Sequence, residues 1–241
     1  MKINKWLEFL NNSLMKNYQE IKYPIHFEIA KKDIIKVFDE SNQKIFRYSD
    51  LTTILEKSRE FLRLSKNTNT DAFIAFLINK VNKFKPQEFD FPFRKEIRYI
   101  WGKVPIFEIL LSLNKNSYFS HYSAMYFNEL TEQIPKSFYI NVEQRPIKSV
   151  RQELTQVNID LAFRNKPRIT TNTIKLTDFN ISILNGKYTN NLGVTEKDLP
   201  DGTNVKVTNF ERTLIDISVR TFYSGGIFQL IKNSMPGLYQ F

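Results

Sequence analysis

Apolar residues first recur at helical spacing. Ile3, Leu7, Leu10 and Leu14 fall at i, i+4, i+7 and i+11, with Trp6 and Met15 widening the stripe. This predicts an amphipathic helix that packs on its own domain or serves as a partner-binding face. A second helical pattern spans Ile29–Glu40, with Ile34, Ile35 and Phe38 inward and Ser41-Asn42 as its stop. Lys44–Tyr48 is a short β-like run. Ser49-Asp50 then offers an N-cap and a first-turn acid for a helix whose inward row is Leu51, Ile54, Leu55 and Leu62. After the turn Lys66-Asn67-Thr68-Asn69, a helix is expected over Thr70–Asn82, burying Phe73, Phe76, Leu77, Ile78 and Val81. Phe84–Phe91 and Glu96–Trp101 read as two strands around Pro92. In the second, Ile97, Tyr99 and Trp101 share one face, Glu96 and Arg98 the other.

The order through Trp101 is therefore helix, short strand, helix, turn, helix, two-stranded ribbon, which is that of a winged helix-turn-helix. A boundary is expected near Lys103-Val104-Pro105, dividing residues 1–103 from 104–241; Pro105 suits the first turn of a helix over Ile106–Leu113. The remainder is expected to be a mixed α+β domain organised around Tyr118–Gln144. That stretch reads as a strand, a helix opened by Ser120, a polar loop closed by Pro135 and a strand over Lys136–Val142. A helix follows over Ser149–Phe163, with Val150, Leu154, Val157 and Leu161 on one face. Strands follow over Arg168–Leu176 and Phe179–Leu184, a turn at Asn185-Gly186, and strands over Leu192–Thr195 and Asn204–Val207 around Pro200-Asp201-Gly202. Helices are expected over Asn209–Arg220 and Ile227–Lys232. The fold class is thus α+β.

Charge sharpens the picture. The chain of 241 residues has a formal net charge of +10. Residues 1–103 hold 20 Lys+Arg against 13 Asp+Glu, and within 57–103 the count is 11 against 5. Such a balance attracts polyanions, although a merely solvated basic surface would look the same. If the front half binds double-stranded DNA, Thr68, Thr70, Asn79 and Lys83 face the duplex, Lys80 and Lys85 meet phosphates, and Arg94, Lys95 and Arg98 form a basic wing. Asp71 is ill-suited to that surface.

Other chemistries find little support. There is no cysteine and there are two histidines, His26 and His121, so no metal site is expected. Neither a Walker-type nor a dinucleotide-type glycine pattern occurs, so no cofactor is expected. Ser120-His121 pairs a nucleophile type with a base type, but neighbours at a helix start are not expected to face each other, and no G-x-S-x-G is present. Thr208-x-x-Glu211 reads as a capping box. Arg212–Asp216 and Asp216–Arg220 are i,i+4 pairs. An enzyme that processes nucleic acid or modifies a toxin, with Glu211, Arg212, Asp216 and Arg220 on one helix, is the alternative to a non-enzymatic regulator. No secretory signal and no long apolar run is read from the sequence, so a cytoplasmic protein without a membrane partner is expected.

Four blocks in order resemble the AbiEi family of antitoxins and transcriptional repressors from type IV toxin–antitoxin, phage-defence operons. They are Arg94–Gly102; Ser120–Tyr126 with Leu130–Pro135; Leu184–Lys187 with Asn191–Val194; and Val207–Asp216 with Val219-Arg220. The likeness runs from about Ser49 to Phe228. It implies an N-terminal winged helix on inverted repeats of its own promoter and a C-terminal domain countering a nucleotidyltransferase-type toxin, with no stable complex required. It implies no catalytic residues. Similar proteins continue with more helix past Gly225-Gly226, whereas Pro236-Gly237 interrupts any helix here, so a shortened or divergent C-terminus is expected.

Overall fold

The computed structural model describes Tyr18 and residues 20–146, 155–164, 167–176 and 179–225. The Ile3–Leu14 and Ile227–Lys232 patterns, with Val150 and Leu154, lie outside these. The fold is α+β, and it divides into Met1–Leu113 and Asn114–Phe241. The division falls after Leu113, not after Lys103. Its cause is Arg98, whose guanidinium donates to Ser112 O at 3.2 Å and Leu113 O at 2.9 Å and so binds the following helix to the first unit. Among the described residues no helix is long and apolar enough to cross a membrane.

The first unit runs α1 (His26–Ile29), α2 (Lys31–Glu40), β1 (Ile45–Phe46), α3 (Tyr48–Ser58), α4 (Thr70–Lys80), β2 (Phe84–Phe91), β3 (Arg94–Trp101) and α5 (Ile106–Leu111). Its sheet is antiparallel in the order β1-β3-β2, with Pro92-Phe93 turning the hairpin. Aromatic rings fill the core: Phe38 stacks on Trp101 at 4.8 Å, and Phe27 on Phe76 at 5.2 Å. Helix α3 starts earlier than Ser49-Asp50 suggested. Asp50 is its third residue, and its carboxylate accepts the Arg47 N–H at 2.8 Å, so the chain turns helical from Tyr48. The helix also stops at Ser58. Arg63 adopts a left-handed φ of 53° in the tight turn that follows, and Leu62 is buried from that turn. Asn69 caps α4 by accepting the Ala72 N–H at 2.8 Å.

The second unit runs β4 (Tyr118–Phe119), α6 (His121–Phe127), β5 (Ser137–Glu143), α7 (Gln156–Arg164), β6 (Thr173–Leu176), β7 (Phe179–Gly186), β8 (Val194–Asp198), β9 (Asn204–Thr208) and α8 (Phe210–Val219). Six strands form one mixed sheet in the order β6-β7-β5-β4-β9-β8. The stretch Tyr118–Gln144 supplies the two central strands, which pair antiparallel with Phe119 opposite Ile140. Phe119 on β4, Ile140 on β5, Ile181 on β7 and Val205 and Val207 on β9 are buried. On α7, Val157 and Leu161 are exposed. Of the apolar face Val150, Leu154, Val157 and Leu161, the two described residues thus face solvent.

Two local readings change. The cap of α8 is Asn209, which accepts the Arg212 N–H at 2.9 Å, and not Thr208. The Thr208 hydroxyl is buried against Thr213 at 2.8 Å, which takes it out of reach of the helix end. Asn185-Gly186 is not a hairpin turn. Both residues stay in β7, with Gly186 opposite Glu143. A Cβ there would lie 2.5 Å from the Asn141 amide, so any other residue would push that buried side chain aside. Gly186→Ala is therefore expected to destabilise the protein by about 1–3 kcal/mol in denaturant titrations. Adding Asn141→Ala should recover part of that loss.

Candidate nucleic-acid interface

Helix α4 is the one expected from the sequence to read a groove, and its placement leaves it little free surface. Eight of its eleven residues are buried, leaving Asp71, Asn79 and Lys80. All three are engaged. Tyr48 donates its hydroxyl to Asp71 at 3.1 Å, the Asn79 amide donates to Tyr18 O at 3.0 Å, and Lys80 pairs with Glu28 at 3.5 Å. Tyr18, Tyr23 and Phe27, from the segment before α2, cover this helix. Tyr23 packs edge-on to Phe76, and the Tyr18 and Tyr99 hydroxyls lie 2.8 Å apart. Burial pushes both phenols up in pKa, and Tyr18 is opposed in part by its bond to Tyr99. Thr68 and Thr70, expected to face a duplex, are buried, and Thr70 lies 3.1 Å from the Thr52 hydroxyl. In this packing they offer little surface to a duplex.

The cations divide into those already engaged and those left open. Lys83 lies 3.1 Å from Asp39 and over the Trp101 ring. The Trp101 N–H first, then Lys83, hold the Asp39 carboxyl below its ordinary pKa. On the hairpin, Arg94 pairs with Glu96 at 3.3 Å and Lys95 with Glu88 at 3.3 Å, both side chains keeping solvent access. Arg98 does not belong to a wing surface. Its side chain is 3% exposed, paired with Glu96 at 2.8 Å and bonded to the Ser112 and Leu113 carbonyls. Burial pushes its pKa down from its ordinary value, against the pull of Glu96. The face opposite Tyr99 and Trp101 is not solvated: Gln87, Phe89, Phe91 and Ile100 are buried there as well.

Lys85 is exposed and, among the described residues, has no ion pair. The same holds for Lys57, Arg63 and Lys66, at the end of α3 and in the α3–α4 connection. Arg59 holds that connection in shape, pairing with Glu56 at 2.5 Å and donating to Ser65 O at 2.5 Å and Thr68 O at 3.2 Å. Phe93 stands at the hairpin tip, 76% exposed. The charge count over 57–103 already included the three connection cations. Helical periodicity singles out the polar edge of α4 and not these cations, and Phe93 has no periodicity to flag it.

In the second unit the adjacent Ser120 and His121 do meet, with Oγ and Nδ1 2.9 Å apart. The cause is the left-handed backbone of His121, φ 54°, which turns the ring back over Ser120. Ser120 is fully buried, and no carboxylate hydrogen-bonds the imidazole among the described residues. The pair lacks both substrate access and an orienting acid. Burial, then the charges of Arg220 and Arg212, lower the His121 pKa to about 3, so the ring is neutral at pH 7. Nearby, Glu143 accepts from the Thr189 N–H at 2.8 Å and from the Tyr118 hydroxyl at 3.1 Å. Burial raises that carboxyl, but these hydrogen bonds outweigh it and leave the pKa below its ordinary value. Arg212 binds Asp216 at 2.9 Å and also Thr189 and Leu192 O. Burial pushes Asp216 up against that pairing. The expected second pair, Asp216 with Arg220, does not form within ion-pair distance among the described residues. Among these residues no cluster of three or more acidic or histidine side chains could hold a metal.

The sequence matches no family model, and no curated protein is significantly similar to it.

Two stability measurements follow from this geometry. Arg98→Ala should cost about 2–4 kcal/mol in denaturant titration, because it strands buried carbonyls and Glu96, whereas Arg94→Ala should cost under about 1 kcal/mol. His121 in the unfolded chain takes a proton near pH 6.5, but the folded chain resists until about 3. Its contribution is therefore complete above pH 6.5 and is lost as pH falls, by about 2 kcal/mol between pH 7 and 5. His121→Asn, a residue that tolerates left-handed backbone, should flatten that slope. Asp216 works in the opposite sense, since its raised pKa favours the folded state as it is protonated. The difference between wild type and variant isolates the histidine.

Proposed function

We propose that the protein is a DNA-binding transcriptional regulator of the AbiEi kind, an autorepressor and antitoxin whose functional counterpart is a nucleotidyltransferase-type toxin. The carrying observation is the order and pairing of the first unit. Helix α2, strand β1, the helix pair α3 and α4, and the β2–β3 hairpin follow one another, with β1 on the outer side of β3. This order supports reading the unit as a winged helix-turn-helix. The basic excess of this half and the four AbiEi-like blocks support the same reading.

In this reading the duplex is gripped from the edges of the unit. Lys57, Arg63 and Lys66 neutralise phosphates beside the N-terminal turn of α4, and Lys85, Arg94 and Lys95 do so from the hairpin. Phe93 is the one large apolar group at the tip, suited to wedge into a minor groove. Phosphate contacts of this kind set position and affinity, while inverted repeats in the promoter supply the spacing for two copies. The second unit carries the antitoxin role without a reaction centre.

A gel-shift titration on the DNA upstream of the gene, at low and moderate salt, tests this. The wild type should give a specific shift. Replacing Lys57, Arg63 and Lys66 together by Ala should weaken it and reduce the salt slope by about 0.9 per lost phosphate contact. The absence of a specific shift at low salt, together with an unrepressed promoter reporter, would overturn the proposal.

A further inference from the structure

A cavity of about 490 Å³ opens in the second unit between the segment leading into β6, the end of β7 and the chain just past α8. This volume lies within the range of roughly 300–1,000 Å³ typical of small-molecule sites. Arg168 and Arg220 both line it, together with Asn185, Phe222 and Tyr223, and its described walls contain no carboxylate. Neither guanidinium has an ion pair among the described residues. Arg220 makes no close pair with Asp216, one turn away, because Arg212 holds that carboxylate at 2.9 Å; Arg220 acts on it only at longer range. Behind the wall, His121 packs edge-on against Tyr223 at 5.4 Å and stays neutral, so it neither repels nor neutralises a guest.

The walls are fixed in the absence of any guest. The Tyr223 hydroxyl accepts the Thr170 N–H at 2.8 Å, and the Thr170 hydroxyl donates to Ile183 O at 2.9 Å. The residues flanking Arg168 and Arg220 are thereby tied to the sheet. Two guanidiniums around one space suit an oxyanion with several oxygens, which each can grip through two parallel hydrogen bonds. Phe222, half-buried at the rim, offers a ring to a flat apolar group, and the Asn185 amide offers a donor and an acceptor to that group's edge. A phosphate joined to an aromatic base meets all three requirements. Such a site escapes the glycine-loop patterns, because arginine side chains replace backbone amides as the phosphate donors.

We propose that the second unit binds a nucleoside phosphate in this cavity, with Arg168 and Arg220 on the phosphate and Phe222 against the base. The ligand is a free nucleotide or the phosphorylated end of a short strand, which share this chemistry. The site goes beyond DNA binding and does not depend on it.

Isothermal titration of the full chain with ATP, adenosine, tripolyphosphate and a 5′-phosphorylated tetranucleotide RNA tests the assignment. The expected result is binding of ATP or of the tetranucleotide with Kd below about 1 mM. Arg168→Ala and Arg220→Ala should each weaken it about tenfold or more, and adenosine should not bind. Phe222→Leu should weaken the nucleotide but leave tripolyphosphate unchanged. Binding of ATP identifies a free nucleotide, and binding of the tetranucleotide alone identifies a strand end. Neither arginine side chain holds a hydrogen bond among the described residues, and Arg168 is exposed, so Arg168→Ala should melt like the wild type. Arg168→Glu, at an exposed position, provides a second charge test. The proposal is overturned if neither ligand binds, if adenosine binds as tightly as ATP, or if tripolyphosphate matches ATP and Phe222→Leu changes nothing.

Discussion

The first unit depends on the burial of α4 on almost every side. A helix with Phe73, Phe76, Leu77, Ala72, Ile74 and Ala75 all inside has no broad polar face to offer a partner. Each fully buried large side chain contributes about 1.5–3 kcal/mol of transfer free energy. Turning such a helix outward would forfeit several such terms at once. The rings of Phe27, Phe38, Phe84 and Trp101 close around it, and Asp39 fixes the indole by accepting its N–H at 2.8 Å. Helix α4 is thus the axle of the unit, and any surface for a duplex must be sought at its ends and on the neighbouring connections.

That constraint sorts the positive charge. Several cations near α4 and on the hairpin have acidic neighbours: Lys80 with Glu28, Lys83 with Asp39, Lys95 with Glu88. Exposed pairs of this sort are weak, under about 1 kcal/mol, and a phosphate can compete for the same cation. Arg98 is different. It is a buried tie between the hairpin and the end of α5, and its charge serves folding. Open cations include Lys57, Arg63 and Lys66 in and beside the α3–α4 connection, Lys85 on the hairpin and, in the second unit, Arg168 and Arg220 at the cavity. In both units, acids that could have neutralised these groups are engaged elsewhere, as Glu56 is by Arg59 and Asp216 by Arg212.

Much of the fold was legible in the sequence because it is written in local periodicity. The order of α2 to β3, the strand–helix–strand of Tyr118–Gln144 and the β8–β9 hairpin at Pro200-Asp201-Gly202 all lie in short windows. What escaped depends on residues far apart in the chain. Nothing near Asn79 reveals that Tyr18 will take its amide, and nothing near Arg98 reveals that the Ser112 and Leu113 carbonyls will enclose it. Gly186 looked like a turn because the Asn141 side chain that a Cβ would push aside comes from another strand. The caps of α3 and α8 lie at Arg47 and Asn209, two residues and one residue from the expected Ser49 and Thr208, since several neighbouring residues could each serve. The Ser120–His121 contact needed a left-handed φ that spacing rules do not foresee. For the candidate interface, the sign and rough location of the charge were legible, but which cations stay open was not.

Hydrogen–deuterium exchange of the full chain, free and with its upstream DNA, probes the claim that α4 is a buried axle while the connection and hairpin meet the duplex. The account predicts that the amides of Ile74–Ile78 exchange slowly in the free protein and do not change on binding, while those around Arg63–Asn67 and Phe93–Lys95 become protected. Fast exchange across Ile74–Ile78 in the free protein, with protection appearing there only when DNA is added, would contradict it.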